Sequence, residues 1–136
     1  SLHLPLYAPE RAPNTPPTSA MRAFRQALVE FESGGGLPTR HEKYSRQAKM
    51  IRSGLSDLGF SFFTPTADAS STVTVATVPK GFTAESWLSP NYEAGYALFE
   101  CKGDLRDGWF QVSTMGEVTD EMVEAWLVLV KRLLGR

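Results

Sequence analysis

Apolar residues recur at helical spacing in the first part of the chain. The members of this stripe are Met21, Phe24, Leu28 and Phe31. They lie three or four positions apart and so fall on one face of a helix. Thr18 or Ser19 can cap its first turn, and the Ser-Gly-Gly-Gly run at residues 33–36 ends it. The pattern predicts a helix over residues 18–32.

A second, longer stripe follows this glycine run. Its members are Tyr44, Ala48, Ile51, Leu55 and Leu58. Thr39 and Glu42 stand at the spacing of a capping box, in which each side chain bonds the other residue's backbone N–H. Gly59 suits the end of the helix because glycine readily adopts a positive φ. We therefore predict a helix from Thr39 to about Leu58.

Short runs of β-branched and aromatic residues predict four strands. They lie at residues 60–63, 72–78, 96–101 and 109–113, and residues 103–108 suit a hairpin connection between the last two. A helix over residues 83–94 should break near Ser89, because Pro90 removes a backbone N–H. A last helix begins at Thr119, and its predicted buried face consists of Met122, Trp126, Val130 and Leu133.

The order of these elements predicts an α+β fold with two layers, in which helices cover a mostly antiparallel sheet. Residues 1–17 contain five prolines, which exclude helix interiors and favour an extended arm or inter-domain segment. We assign residues 1–17 to this Pro-rich arm and residues 18–136 to one small α+β domain.

Composition and charge exclude several classes of function. Hydrophobic residues make up 42% of the 136 residues, which is enough for a folded core. The formal net charge of -1, with both signs scattered, gives no basic surface for nucleic acid. No apolar run is long enough to cross a membrane, and the N-terminal residues do not resemble a signal peptide. The single cysteine, Cys101, agrees with a reducing compartment, and we expect a cytoplasmic location.

The chain contains no self-contained catalytic constellation. His3 and His41 have no Cys or carboxylate neighbours at the spacing of metal ligands, so we expect no metal site and regard both as surface residues. The consecutive glycines at residues 34–36 follow a helix, whereas a phosphate-binding loop precedes one. Cys101 has no apparent histidine partner and is interpreted as a buried structural thiol.

Three segments together resemble a known enzyme family. They are Asn-Thr-Pro-Pro-Thr at residues 14–18 before a helix that contains Ala23 and Phe24, the helix over residues 37–59 that ends in Leu-Gly, and Phe-Gln-Val-Ser-Thr-Met-Gly-Glu-Val at residues 110–118. In order and spacing they resemble the C-terminal small domain of fold-type I, class V aminotransferases. The similarity is greatest to the aminoethylphosphonate:pyruvate and serine or alanine:glyoxylate aminotransferases.

The resemblance implies a large domain, outside this chain, that binds pyridoxal 5'-phosphate (PLP). In the family, the lysine that forms a Schiff base with PLP lies upstream of the Thr-Pro-Pro segment, and no lysine of this chain occupies that motif. The chain alone is therefore expected to be inactive in transamination. The resemblance also assigns the hydroxyl of Thr15 to the PLP phosphate of the neighbouring subunit in a homodimer.

One position departs from the family pattern. Related enzymes carry an arginine in the strand before the last helix, where it binds the substrate carboxylate or phosphonate. Here Gln111 occupies that position, and Ser113 replaces the following glycine. Two hypotheses follow: either Lys102 or Arg106 on the preceding hairpin binds the anion, or the substrate group at this place is uncharged. A third interpretation is that Gln111 is simply an exposed strand residue.

The leading functional hypothesis is a transaminase that moves an amino group from a small amine or amino acid to a 2-oxo acid such as pyruvate or glyoxylate. The alternatives are a stand-alone α+β ligand-binding or regulatory module and a purely structural domain. If the chain is a detached domain, we expect it to self-associate through the arm and through exposed residues such as Trp109 and Phe110.

Overall fold

The computed structural model describes residues 16–136, and within this range it contains four α-helices and three β-strands. In chain order they are α1 (Thr18–Ser33), α2 (Gly36–Asp57), β1 (Val73–Thr77), α3 (Ala84–Glu93), β2 (Phe99–Glu100), β3 (Trp109–Ser113) and α4 (Asp120–Leu133). The α+β class is confirmed. The chain divides between Thr39 and Arg40 into two units, which are described separately.

The first unit contains α1, whose predicted range is confirmed. The predicted cap at Thr18 or Ser19 is wrong, because Pro17 holds the N-cap position and no side chain bonds the first turn. Proline suits the start of a helix, since its fixed φ matches the helix and its lack of an N–H costs nothing there. No residue of α1 is buried, and Phe24 is 66% exposed.

The start of α2 differs from the prediction. The helix begins at Gly36, so Thr39 lies inside its first turns and the predicted capping box with Glu42 is wrong. Gly35 and Gly36 have φ of 93° and 63°, values that favour glycine, and they let the chain turn into the helix earlier. A Cβ on Gly35 would collide with the side chain of Thr39. The glycine run therefore joins two helices without an intervening loop.

The end of α2 agrees with the prediction. Gly59 has φ 88°, and the backbone N–H of Phe60 donates to Leu55 O at 3.0 Å. This 6→1 bond is the Schellman arrangement that satisfies a carbonyl at the helix end. The glycine thus turns the chain toward the sheet.

The second unit contains a three-stranded antiparallel sheet in the order β1-β3-β2. β3 matches the predicted residues 109–113, whereas the predicted strand at 60–63 is reduced to one bridge between Phe62 and Ala76. The chain bends at residues 63–64, before Pro65, so pairing with β1 stops there. The central position belongs to β3, which pairs on both sides.

Helices cover one face of the sheet, where the core lies. Trp87 of α3 is fully buried, and its ring lies 5.6 Å from the ring of Phe110 on β3. Phe110 is also fully buried, so its expected exposure is wrong, and Trp109 beside it is half-buried. The other large buried residues are Ile51, Leu55, Phe60, Val112, Val123, Trp126, Leu129 and Val130. Aromatic and aliphatic side chains therefore fill the space between the sheet and α2, α3 and α4.

The buried face of α4 is rotated relative to the predicted one. Trp126 and Val130 are buried as predicted, but Met122 is 51% exposed and Leu133 is only half-buried. Val123 and Leu129 take their places in the core. Several apolar residues occur on this helix, so spacing alone admits more than one stripe, and packing against α2 and the sheet selects one.

The predicted break in α3 is wrong, because the helix continues through Pro90. A capping box between Thr83 and Ser86 fixes its first turn. Asn91, fully buried, then donates through Nδ2 to Trp87 O at 2.7 Å and accepts from Trp126 Nε1 at 2.9 Å. These bonds hold the helix on both sides of the proline and attach it to α4.

Candidate functional site

The two faces of β3 have different surroundings. Phe110 and Val112 point into the core, while Trp109, Gln111 and Ser113 point to the opposite face and are half-buried. In the antiparallel register, Gln111 lies between Val75 of β1 and Phe99 of β2. We call this surface the outer sheet face, and it consists of Val73, Val75, Thr77, Phe99, Trp109, Gln111 and Ser113.

The outer sheet face is largely apolar and carries no charged residue. Phe99 is 63% exposed, and the ring of Trp109 meets the ring of Phe63 edge to face at 5.6 Å. Gln111 therefore sits at the centre of a surface with aromatic rings on two sides. A polar group surrounded by apolar side chains at the middle of a sheet fits a binding position.

The amide of Gln111 bonds the adjacent hairpin strand. Its Nε2 donates to Glu100 O at 3.4 Å, and its side chain hydrogen-bonds the thiol of Cys101. Cys101 is buried, as predicted. Burial raises the pKa of this thiol, and the bond from Gln111 partly offsets that increase. The thiol therefore packs beneath Gln111 rather than acting as a nucleophile.

The two candidate cations are Arg106, which pairs with a residue on the other face of the sheet, and Lys102, which lies just beyond the end of β2. Arg106 pairs with Glu100 through Nη2 and Oε1 at 3.4 Å. Glu100 is opposite Phe110 in register, so its side chain leaves the sheet on the face opposite to Gln111. Lys102, two residues after Glu100, is exposed and precedes a 3₁₀ turn at Gly103–Leu105. Arg106 thus contacts the carboxylate of Glu100, whereas Gln111 bonds the backbone oxygen of the same residue. The ion pair does not bring Arg106 to the side chain of Gln111.

Two predicted positions, His3 and Thr15, lie outside the described residues. The assignment of Thr15 to a cofactor phosphate therefore stays a prediction. His41 is exposed on α2 and lies near one polar neighbour, Ser45, with 3.5 Å between Nε2 and Oγ. Its interpretation as a surface residue is confirmed.

The lysines of residues 16–136 are exposed or half-buried. A lysine that forms a Schiff base lies in an enclosed, desolvated site. Lys43 is half-buried and donates to Gly116 O at 3.2 Å, while the others are exposed, namely Lys49, Lys80, Lys102 and Lys131.

Sequence reasoning missed a polar network that holds the segment after β3. Arg46 Nε donates to Asp120 Oδ2 at 2.7 Å, and Gln47 Nε2 donates to Val118 O at 2.8 Å and to Asp120 Oδ1 at 3.1 Å. Gln47 is fully buried. It lies three residues after Tyr44 and one before Ala48, inside the apolar stripe of α2, and this position was the available signal. The network attaches α2 to the start of α4 and to the segment that follows Gln111.

Asp120 and Arg46 stabilise each other's charges. The hydrogen bond from Arg46, followed by that from Gln47, lowers the pKa of Asp120 below its ordinary value. The same carboxylate raises the pKa of Arg46. Within residues 16–136 there is no group of three or more side chains suited to a metal ion. None of the described helices is long and apolar enough to span a bilayer.

Known proteins similar to this chain are transaminases. The chain is 31% identical to the 2-aminoethylphosphonate–pyruvate transaminase of Syntrophobacter fumaroxidans over 124 residues, which cover 90% of this chain and 33% of that protein. It is 34% identical to the enzyme of the same name from Paraburkholderia phymatum over 125 residues, or 88% of this chain and 33% of that protein. The chain spans about a third of the length of the curated relatives it matches. No protein-family model matches the chain.

Solved structures show the same fold. An alanine–glyoxylate aminotransferase from Nostoc sp. superposes with a TM-score of 0.82 at 19% identity, covering 93% of this chain and 34% of that one. The ureidoglycine–glyoxylate aminotransferase of Bacillus subtilis superposes with a TM-score of 0.68 at 24% identity, covering 81% and 28%. At these identities the likeness establishes the fold.

Proposed function

Because this chain belongs to the class V aminotransferases and corresponds to their C-terminal domain, we propose that it is one part of a PLP-dependent transaminase. The complete enzyme moves an amino group from a small amine or amino acid to a 2-oxo acid such as pyruvate or glyoxylate. It acts as a homodimer in the cytoplasm. A large domain outside this chain holds PLP and supplies the lysine, so residues 1–136 alone do not transaminate.

The role of this domain is to position the substrate. Gln111 lies on the central strand, held through Glu100 O and flanked by half-buried or exposed residues. In the proposed enzyme this face borders the substrate. Holding a substrate in a productive orientation accelerates a reaction without bond-making by the domain itself. Thr15 contributes a hydroxyl to the cofactor phosphate.

The observation that supports this proposal most strongly is the sequence similarity over 124 residues, which includes β3 and Gln111. Such similarity over 90% of the chain is more than short motifs provide. The fold of the Nostoc aminotransferase supports the same reading, since it extends over 93% of the chain.

The test uses the gene product that contains residues 1–136, purified with PLP. We expect a bound-cofactor absorption band that small amino donors convert to the amine form and that pyruvate or glyoxylate restores. Gln111→Arg should change the order of preference among donors. A matched control, Gln26→Arg, introduces the same charge on the exposed surface of α1 and should leave that order unchanged.

Two outcomes contradict different parts of this proposal. If the gene product binds no PLP and no donor alters its spectrum, it is not a transaminase. If it transaminates but Gln111→Arg changes neither the spectrum nor the donor profile, Gln111 lies away from the substrate.

A further inference from the structure

The geometry around Gln111 points to a substrate whose far end, the end opposite to the reacting amine, is uncharged and largely apolar. We propose that Gln111 selects for such a group at the far end of the amino donor and against a phosphonate there. This inference rests on the proposed function and specifies the substrate class of the same site.

The composition of the outer sheet face favours a neutral substrate group. Its seven residues are neutral, and the four that flank Gln111 most closely in register and along the strand are Val75, Phe99, Trp109 and Ser113. An anion brought against this face would lose hydration without gaining a countercharge, which is unfavourable unless the charge is paired. An apolar group would instead remove water from the rings and the valine.

The hydrogen-bonding capacity of Gln111 also favours a neutral substrate group. An anion needs donors, and the only donor atom of a glutamine side chain is its amide nitrogen. Nε2 is already directed at Glu100 O, at 3.4 Å, and the side chain also bonds the Cys101 thiol. The carbonyl oxygen Oε1 accepts hydrogen bonds and repels anionic oxygens, while the amide N–H groups, one of them directed at Glu100 O, donate without supplying a positive charge. Gln111 is therefore arranged to meet a neutral donor or an apolar surface.

The neighbouring cation Arg106 is not positioned to replace the missing arginine. Arg106 is engaged by the carboxylate of Glu100, and that carboxylate lies on the face opposite to Gln111. Glu100 also borders a groove beside α3 with Glu85, Leu88 and Tyr92, which places it on the helix-covered side. Lys102 is exposed and lies beyond the end of β2, at the start of the 3₁₀ turn Gly103–Leu105. Arg106 is therefore not placed to neutralise a substrate anion at Gln111.

The experiment compares two amines of nearly the same shape. In 2-aminoethylphosphonate a tetrahedral dianion ends the two-carbon chain, and in 3,3-dimethylbutylamine a neutral tert-butyl group takes its place. The gene product containing this chain is mixed with each amine, and conversion of bound PLP to the amine form is followed by absorbance. We expect kcat/KM for the neutral amine to exceed that for the phosphonate by about tenfold or more.

Variants at Gln111 assign the preference to this residue. Gln111→Arg should shift the ratio toward the phosphonate by at least about tenfold, because a guanidinium pairs with its oxygens. Gln111→Leu should keep the preference for the neutral amine, and Gln26→Arg should leave the ratio unchanged. Circular dichroism and the PLP content of each variant show that the fold and the cofactor site persist.

Each possible result of this experiment either supports or overturns the inference about the substrate. A native enzyme that prefers the phosphonate overturns the inference while leaving the transaminase proposal intact. A ratio that Gln111→Arg does not move also overturns it. If alanine, serine and both amines all fail to convert bound PLP, the proposed function fails and the inference fails with it.

Discussion

Asp120 is the residue at which α2, α4 and the segment after β3 meet. Its carboxylate accepts from Arg46 at 2.7 Å and from the buried amide of Gln47 at 3.1 Å, and Lys43 contributes a further positive charge nearby. Its position in the first turn of α4 also favours a negative charge, since the backbone N–H groups there are unpaired. These donors favour the charged form and lower the pKa of Asp120.

The lowered pKa makes the contribution of Asp120 to stability dependent on pH. A carboxylate whose pKa is lower in the folded state stabilises the fold above its unfolded pKa, near 3.9, and loses this effect as the pH falls through the folded value. We expect Asp120→Asn to reduce the free energy of unfolding at pH 6, and the difference from the native chain to shrink below about pH 4. Urea unfolding between pH 6 and pH 2.5 measures this difference.

Arg46→Gln provides the matched control, because it removes the same ion pair from the other side. The double variant with Asp120→Asn should lose less stability than the sum of the two single changes. A difference between native chain and Asp120→Asn that stays constant over the whole pH range would contradict the assignment.

At the scale of elements, α2 and α4 approach each other at Gly54. A Cβ added to this glycine would lie 2.6 Å from Leu127 Cδ1, so the absence of a side chain allows the two helices to pack closely. Glycine is unfavourable in the interior of a helix relative to alanine. Its presence in α2 is therefore explained by packing rather than by helix propensity.

This contact predicts a position-specific effect of a large side chain. Gly54→Leu should lower the free energy of unfolding by about 1–3 kcal/mol, since it overfills the space occupied by Leu127. Ser53→Leu introduces the same side chain at the adjacent, exposed position and should change stability by less than about 0.5 kcal/mol. Urea unfolding of both variants is the measurement, and equal stabilities would show that the helices do not meet at Gly54.

Element boundaries followed local sequence where a turn fixes the backbone and departed from it elsewhere. Gly59 ends α2 in the predicted place because a positive φ is required there. The break predicted at Ser89 did not occur, since the buried bonds of Asn91 hold α3 across Pro90. Local rules thus failed where a distant residue, Trp126, supplied the compensating contact.

At the scale of the whole molecule, apolar side chains remain exposed on α1. Met21 and Phe24 are 59% and 66% exposed, and Leu28 is 44% exposed. Contiguous exposed apolar residues at helical spacing are typical of surfaces that bind another protein surface. They favour the proposed homodimer.

We expect residues 1–136 to sediment as a dimer or larger species at high concentration. Phe24→Ser together with Leu28→Ser should shift the sedimentation coefficient toward the monomer, because it removes apolar area from α1. Arg22→Ser with Arg25→Ser changes the same helix without removing apolar side chains and should not cause that shift. A native chain that stays monomeric at every concentration would contradict this expectation.

Much of the architecture was predictable because it depends on local periodicity. Apolar residues spaced a few positions apart, together with the glycines and prolines at the ends of the elements, predicted the α+β class. The same signals predicted the position of α1 and the range of β3. Gln111 became a candidate because residues 110–118 resemble a motif of the family. Gln47 was missed because a polar residue inside an apolar stripe has no partner that the sequence alone can identify.

The sequence by itself determined which residues alternate along each strand and which repeat along each helix, since these periods are properties of the backbone. Only the tertiary structure decided that Gln111 lies on a neutral face while Arg106 is held by Glu100 on the opposite one. The reason is physical: alternation places a side chain relative to its own strand, but the register between strands decides which side chains share a face. That register is set by packing of the core residues Phe110 and Val112 against the helices.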